Sequence, residues 1–187
     1  MQGAVAASFL SANALGVTSH CDLHALCRTL TAMPIARFAR ASDLPSLLSL
    51  FAVSEVSAVA GPRERAEGIW QEALALQGVH VFVSDDHDRI AATCMLITAP
   101  NLLREGRRHA FLENVVTHPE LRGRGHGKAV IRAALAHAWA TNCHHVLMQS
   151  GRMDPRVHAF YEKTGFKPGL RTAYVAQRLT RTLDDRS

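Results

Sequence analysis

Arg122-Gly123-Arg124-Gly125-His126-Gly127 stands between a strand-like run, Phe111 to Thr117, and a helix-like run, Lys128 to Thr141. Glycines at alternate positions leave the backbone bare, so its N–H groups can turn inward on an anion that the N-terminus of the following helix also attracts. The stretch therefore reads as a turn that holds phosphate. Two better-known phosphate loops fit it less well. The dinucleotide fingerprint needs a two-residue gap before its last glycine, whereas Gly123, Gly125 and Gly127 are evenly spaced. The nucleotide P-loop needs a glycine where Arg122 stands and a Ser or Thr where Ala129 follows Gly127-Lys128.

The pattern that does fit is Arg-x-x-Gly-x-Gly, and two neighbouring stretches extend it. Upstream lies Glu113-Asn114-Val115-Val116-Thr117-His118-Pro119, and downstream Ala159-Phe160-Tyr161-Glu162-Lys163-Thr164-Gly165-Phe166. With these, the chain resembles the GNAT superfamily of N-acetyltransferases, whose acetyl-CoA pyrophosphate loop follows Gln/Arg-x-x-Gly-x-Gly/Ala. The upstream stretch is similar to the family's central strand and the downstream one to its FYEKxGF segment. The resemblance runs from about Ile35 to Val175 and is sharpest from Glu113 to Phe166.

Composition agrees with one domain that has a core of its own: 187 residues, 48% hydrophobic, with mean hydropathy near zero. The net charge of +5 and pI near 9.4 suit an anionic partner, and a ligand with several phosphates satisfies them. Nucleic acid would satisfy the same charge, but no Lys/Arg run reaches five residues and only 6% of the chain is aromatic, so no nucleic-acid partner is expected. Cys21, Cys27, Cys94 and Cys143 form no Cys-x-x-Cys pair, as in a reduced, cytoplasmic protein. The eleven histidines are scattered, and adjacent His144 and His145 would point to opposite faces of a strand, so no metal site is expected. No apolar run approaches the roughly twenty residues that span a bilayer, so no membrane partner is expected.

Residues 1–32 are rich in Ala, Ser, Leu and Thr, with Asp22 their only acid, and Met33-Pro34-Ile35 looks like a fresh beginning. Arg28 alone is too little for an organelle-targeting peptide, and the Val5 to Leu10 run lacks the charged flank of a secretory signal. We expect the domain to occupy 33–179, with 1–32 outside the fold and 180–187 a tail. A start codon assigned too early accounts for the first segment, and a mobile or helical extension is the alternative. From Ile35 the order reads strand, helix, helix, three strands, helix, strand, helix, strand. Ser42-Asp43 caps a helix carrying Leu44, Leu47, Leu48 and Phe51, and Pro62 to Leu76 forms the second. His80 to Val83 and Ile90 to Ile97 form a hairpin around Ser84 to Asp88, followed by a strand over His109 to Thr117. The third helix buries Val130, Ile131, Ala134, Leu135, Ala138 and Trp139 and turns Arg132 and His137 away. His145 to Gln149 is the fifth strand, Pro155 to Lys163 the fourth helix and Arg171 to Ala176 the last strand. The fold class expected is α/β (α+β), a mixed central sheet with helices on both faces.

Acetyl transfer from a thioester to an amine needs a neutral nitrogen, a polarised carbonyl and a proton for the departing thiolate. Alternation puts Glu113, Val115 and Thr117 on one face of their strand, and a carboxylate among Phe111, Leu112 and valines would be partly desolvated, which raises its pKa toward that of a useful base. The resemblance implies the general base at Glu113, acting directly or through a water. It further implies that backbone groups of Val115, Val116 and Thr117 pair with the pantetheine arm as an added strand would. The pyrophosphate then meets N–H groups of Gly123, Arg124, Gly125, His126, Gly127 and Lys128, with charge from Arg122 and Arg124. Tyr161 stands where the family has its usual general acid; its phenol pKa is near enough to a thiol's to hand over a proton. Where the family often has a cofactor-binding Asn this chain has Asp154, which is either such a contact or simply the cap of its helix.

The function expected is therefore an acetyl-CoA-dependent N-acetyltransferase acting on a primary amine of a small molecule or another exposed amine. Acceptor recognition falls to Ser54 to Glu67 and Pro100 to Arg108, which hold both Glu55 and the Arg104, Arg107 and Arg108 cluster, so cationic and anionic acceptors both stay open. A non-catalytic CoA-binding module is the alternative; it would keep the glycine turn and dispense with Glu113 and Tyr161. Homodimers are common in the family, and a homodimer is open here.

Overall fold

The computed structural model describes residues 33–54 and 62–176. The expectations for 1–32, for Glu55 and for 177–187 lie outside these residues. Five strands form one sheet in the order β1-β2-β3-β4-β5: β1 (Ala36–Phe38), β2 (Val79–Asp86), β3 (Arg89–Ala99), β4 (Arg108–Thr117) and β5 (Cys143–Met148). The first four are antiparallel neighbours, and β5 joins β4 in parallel, so the sheet is mixed. A parallel pair needs a crossover; α3 (His126–Ala140) supplies it.

Alternation along the strands divides the core in two. Phe82, Ala92, Cys94, Leu96, Ala110 and Leu112 point to the face covered by α3, where Val130, Ile131, Ala134 and Ala138 meet them. Phe160 and Tyr161 of α4 (Pro155–Glu162) pack partly buried against the same cluster. On the other face, Leu47 and Leu50 of α1 (Leu44–Val53) and Trp70 of α2 (Arg63–Ala75) cover Val83, Ile90 and Val116. Helices thus lie on both faces, as the sequence predicts. Each fully buried leucine adds about 1.5–3 kcal/mol of transfer free energy, and Leu47, Leu50, Leu96 and Leu112 divide between the two clusters.

Several local expectations are corrected. Asp43 does not cap α1 with its side chain: its carboxylate instead accepts from the Arg40 N–H at 2.7 Å and from the Arg37 guanidinium at 2.7 and 3.0 Å. Arg37 also grips Asp85 at 2.8 Å, so β1, β2 and the entry to α1 share one ion-pair network. Leu50 rather than Leu48 completes the buried stripe of α1. Trp139 is 53% exposed, because it stands beside the stripe of Val130, Ile131, Ala134 and Ala138, where it lines an open cleft along β5. His137 does not turn away but packs edge-on between Phe38 and His80, at ring separations of 5.4 and 4.2 Å. Residues 171–176 form no strand: every one of them is exposed, and none pairs with the free edge of β5. Their large apolar members, Tyr174 and Val175, are adjacent, so strand geometry would bury only one of them on a given face. Among the described residues no helix is long and apolar enough to cross a membrane.

Candidate active site

The site is set by an irregularity in β4. Glu113 pairs with Met95 and Val116 with Thr93, so Asn114 and Val115 together oppose the single residue Cys94. This is a β-bulge, and Asn114 within it takes the left-handed conformation, at φ 52°. Asn tolerates that conformation better than the β-branched residues around it. The extra residue reverses the alternation. Val116 faces the α1/α2 cluster and Val115 the α3 cluster, while Thr117 pairs with Ala92 on the α3 side. Glu113 therefore shares a face with Val116 and not with Val115 and Thr117, contrary to the simple period-two reading. Its side chain is also exposed, so the partial desolvation expected of it is absent.

The bulge coincides with a parting of strands. Parallel pairing of β4 with β5 ends at Leu112 with Met148, leaving Glu113 to Thr117 without a β5 partner. On that side the β4 backbone presents unused N–H and C=O groups, which an extended ligand could satisfy. On the other side the ladder to β3 continues as far as Thr117 with Ala92, so β4 stays anchored while its outer edge is open.

β4 runs through Pro119–Leu121 directly into the glycine turn, where each glycine has its own role. Gly123 and Gly125 have φ of 79° and 95°, the left-handed region that favours glycine. Gly125 lies in addition against Pro34, whose Cδ would be 3.3 Å from an added Cβ. Gly127 is the residue of close approach: a Cβ there would be 2.8 Å from Thr117 Oγ1 and 3.3 Å from the Phe160 ring. The end of β4, the start of α3 and α4 thus converge on Gly127. Helix–strand packing therefore needs a glycine here, a requirement the sequence alone does not show. The first N–H groups of α3, from His126, Gly127 and Lys128, have no partner within the helix. Arg122 and Arg124 are exposed beside them, and Lys128 is half-buried. The His126 side chain is buried and directed to Ser84 of β2, so only its backbone is available at the turn.

Tyr161 is half-buried against the α3 cluster, with the Phe160 and Phe166 rings 5.3 and 6.3 Å away. Burial raises its phenol pKa above the ordinary value; Arg152 opposes the rise and Cys94 adds to it. Cys94 lies beneath it, fully buried, its own thiol pushed up to about 12 by burial. Glu113 and Tyr161 accordingly stand on opposite faces of the sheet, on either side of the parted strands. Asp154 caps α4, accepting from the Arg156 N–H at 2.9 Å, and the Arg156 guanidinium occupies the rest of its carboxylate. Loop 100–107 lies at the far end of β4 from the glycine turn, tied to β5 by Arg107 donating to the Cys143 carbonyl at 3.3 Å. Five residues, or about 17 Å of strand, separate Arg108 from Glu113, so the arginine cluster is remote from the bulge. A separate cleft of about 660 Å³ follows the outer edge of β5, lined by Trp139, His145, Met148, Tyr161, Phe166 and Arg171 among others. Of the site residues expected from sequence, only Tyr161 reaches it. Asn114, Ser84 and the hydroxyl of Thr117 were not singled out by the sequence; for Asn114 the available signal was a turn-forming residue inside a run of strand formers.

The model of the acetyltransferase (GNAT) family matches residues 45–166, which take in the bulge, the glycine turn and α4. The chain belongs to this family. Among GNAT relatives, glucosamine 6-phosphate N-acetyltransferase from Trypanosoma brucei brucei is 33% identical over 87 residues, 46% of this chain and 57% of that protein. Glucosamine 6-phosphate N-acetyltransferase 1 from Oryza sativa subsp. japonica is 32% identical over 100 residues, 52% of this chain and 59% of that one. The chain thus spans a little over half the length of these curated relatives. A solved structure of a provisionally named acetyltransferase from Agrobacterium tumefaciens str. C58 superposes with a TM-score of 0.70 at 39% identity, covering 76% of this chain and 99% of that one.

Proposed function

We propose that this GNAT protein transfers the acetyl group of acetyl-CoA to a primary amine of a small molecule. The observation that carries the reading is the open edge of β4 beyond Leu112, running directly into the unpartnered N–H groups at the start of α3. An extended pantetheine arm matches the first and a pyrophosphate the second. In this reading the thioester lies in the parting between β4 and β5. Glu113, directly or through a water, takes a proton from the acceptor ammonium on the α1/α2 side. The neutral nitrogen attacks the thioester carbon, the nitrogen of the tetrahedral adduct gives its surplus proton to solvent, and the adduct collapses to the amide with expulsion of the CoA thiolate. Tyr161, on the α3/α4 side, gives that sulfur its proton, and its raised pKa keeps the phenol protonated and ready to donate through the neutral range.

The relatives named for glucosamine 6-phosphate make a phosphorylated amino sugar the first acceptor to try, and the +5 net charge favours an anionic one. The test incubates the full chain with acetyl-CoA and a panel of amines headed by glucosamine 6-phosphate, and follows release of free CoA thiol. Acceptor-dependent release above the hydrolysis background is expected. Calorimetry that finds no acetyl-CoA binding overturns the reading, and binding with no turnover across the panel favours the non-catalytic module instead.

A further inference from the structure

His126 is the first residue of α3, directly after left-handed Gly125, and is only 6% exposed. Its Nδ1 lies 2.9 Å from Oγ of Ser84, which is fully buried on β2. The Ser84 hydroxyl donates its single proton to the Ile35 carbonyl at 3.0 Å. With that proton committed, Ser84 can only accept from the imidazole, so Nδ1 carries the hydrogen. A relay therefore runs from the backbone just before β1, through a buried hydroxyl, to the residue whose own N–H opens the helix. The side chain needs no polar group merely to fill this space, since an aliphatic residue would occupy it without a partner to satisfy. What the hydrogen bond adds is direction: it fixes the rotation of the first turn of α3 about the helix axis. On the opposite side the turn rests on Thr117 and Phe160 through Gly127.

We propose that His126 is a positioning residue for phosphate, holding the first N–H groups of α3 in the direction of the ligand through Ser84 and the Ile35 carbonyl; this rests on the acetyl-CoA reading above. A helix N-terminus binds an anion well only if its donors are aimed before the ligand arrives, since otherwise binding must first order them. Burial lowers the imidazole pKa, with Asp86 opposing and Arg124 assisting, which favours the neutral ring, and the Ser84 hydroxyl selects its Nδ1–H tautomer.

The full chain tests this with three variants, His126→Leu, His126→Asn and Ser84→Ala, titrated with acetyl-CoA by calorimetry. His126→Leu should lose acetyl-CoA affinity about three- to tenfold, the range one net hydrogen bond supplies. Its KM for acetyl-CoA should rise in step while kcat and the acceptor KM hold. His126→Asn puts an amide N–H close to the position of Nδ1 and should recover most of the affinity. Combining His126→Leu with Ser84→Ala should cost little more than either alone, because both cut the same relay. Imidazole nitrogen–proton correlations in the wild type should show the hydrogen on Nδ1. A drop in Tm with unchanged acetyl-CoA affinity in His126→Leu, or an Nε2–H tautomer in the wild type, overturns the proposal. If His126→Leu fails to fold, the Asn variant and the tautomer decide. A wild type that binds no acetyl-CoA removes the functional reading itself, a result distinct from equal binding by wild type and variants.

Discussion

Arg37 and Asp43 show how much of the molecule's order depends on single side chains away from the site. The guanidinium bonds hold the Asp43 carboxyl below its ordinary value of 3.8, although partial burial acts the other way. A carboxylate depressed by folding contributes stability that is present above its unfolded pKa and lost as pH falls through the folded one. Arg37→Met should therefore destabilise the fold by about 1–3 kcal/mol near neutrality, leaving a buried acceptor half satisfied. The deficit against wild type should shrink as urea midpoints are measured below pH 3.8, and vanish only once the folded Asp43, held below that value, takes up its proton. In the proposed mechanism Glu113 and Tyr161 have different tasks. Glu113→Gln should lower turnover roughly 10²-fold near neutral pH, with partial recovery at higher pH as more amine becomes neutral unaided. Tyr161→Phe should leave acetyl-CoA affinity intact and slow the chemical step. Because burial raises the Tyr161 pKa above 10.0, the alkaline limb that this residue causes in the wild-type rate profile should fall above pH 10. Wild-type rates with both limbs intact in both variants would show that neither residue is catalytic. The proposed base and acid could be picked out in the sequence because few side chains can take those roles. Their surroundings could not, since the exposure of Glu113 depends on a backbone irregularity that side-chain identities only hint at.

At the scale of elements, the two clusters could be anticipated wherever period and burial agree, as in Val130, Ile131, Ala134 and Ala138 along α3. Periodicity failed where the chain leaves the core or breaks its own repeat. Trp139 continues the stripe in sequence but stands beside it over an open cleft, and residues 171–176 carry strand-forming side chains yet leave the free edge of β5 unpaired. Asn114 is the most consequential departure, because one residue in the left-handed region both reverses the faces of β4 and accompanies its separation from β5. Asn114→Val should cost about 1–2 kcal/mol in forcing a β-branched residue into that conformation, a fall of roughly 2–8 °C in Tm. If instead the strand re-registers to avoid the strain, the parting narrows and acetyl-CoA affinity falls along with the stability. Asn114→Gly keeps the conformation accessible and should retain binding. Equal affinity and Tm in the Val variant would mean that the bulge is not needed for either.

For the whole molecule, everything described as packing on the glycine turn begins at Pro34: its ring borders Gly125, and the Ile35 carbonyl receives Ser84. A chain beginning at Met33 should therefore fold, bind acetyl-CoA and melt within a few degrees of the full length, as measured by calorimetry and thermal denaturation. Loss of binding in a soluble truncation would make residues 1–32 part of the functional unit. The overall order of elements was the most legible level of all, because an ordered succession of strands and helices admits few sheets. The parting of β4 from β5 has a further meaning at this scale. It places an edge in the interior of a sheet, and an unpaired edge is a template for any extended segment that reaches it, including one from a neighbouring copy. A ligand lying along β4 would then also be a guard against self-association, and the protein's colloidal behaviour would depend on how full that slot is kept.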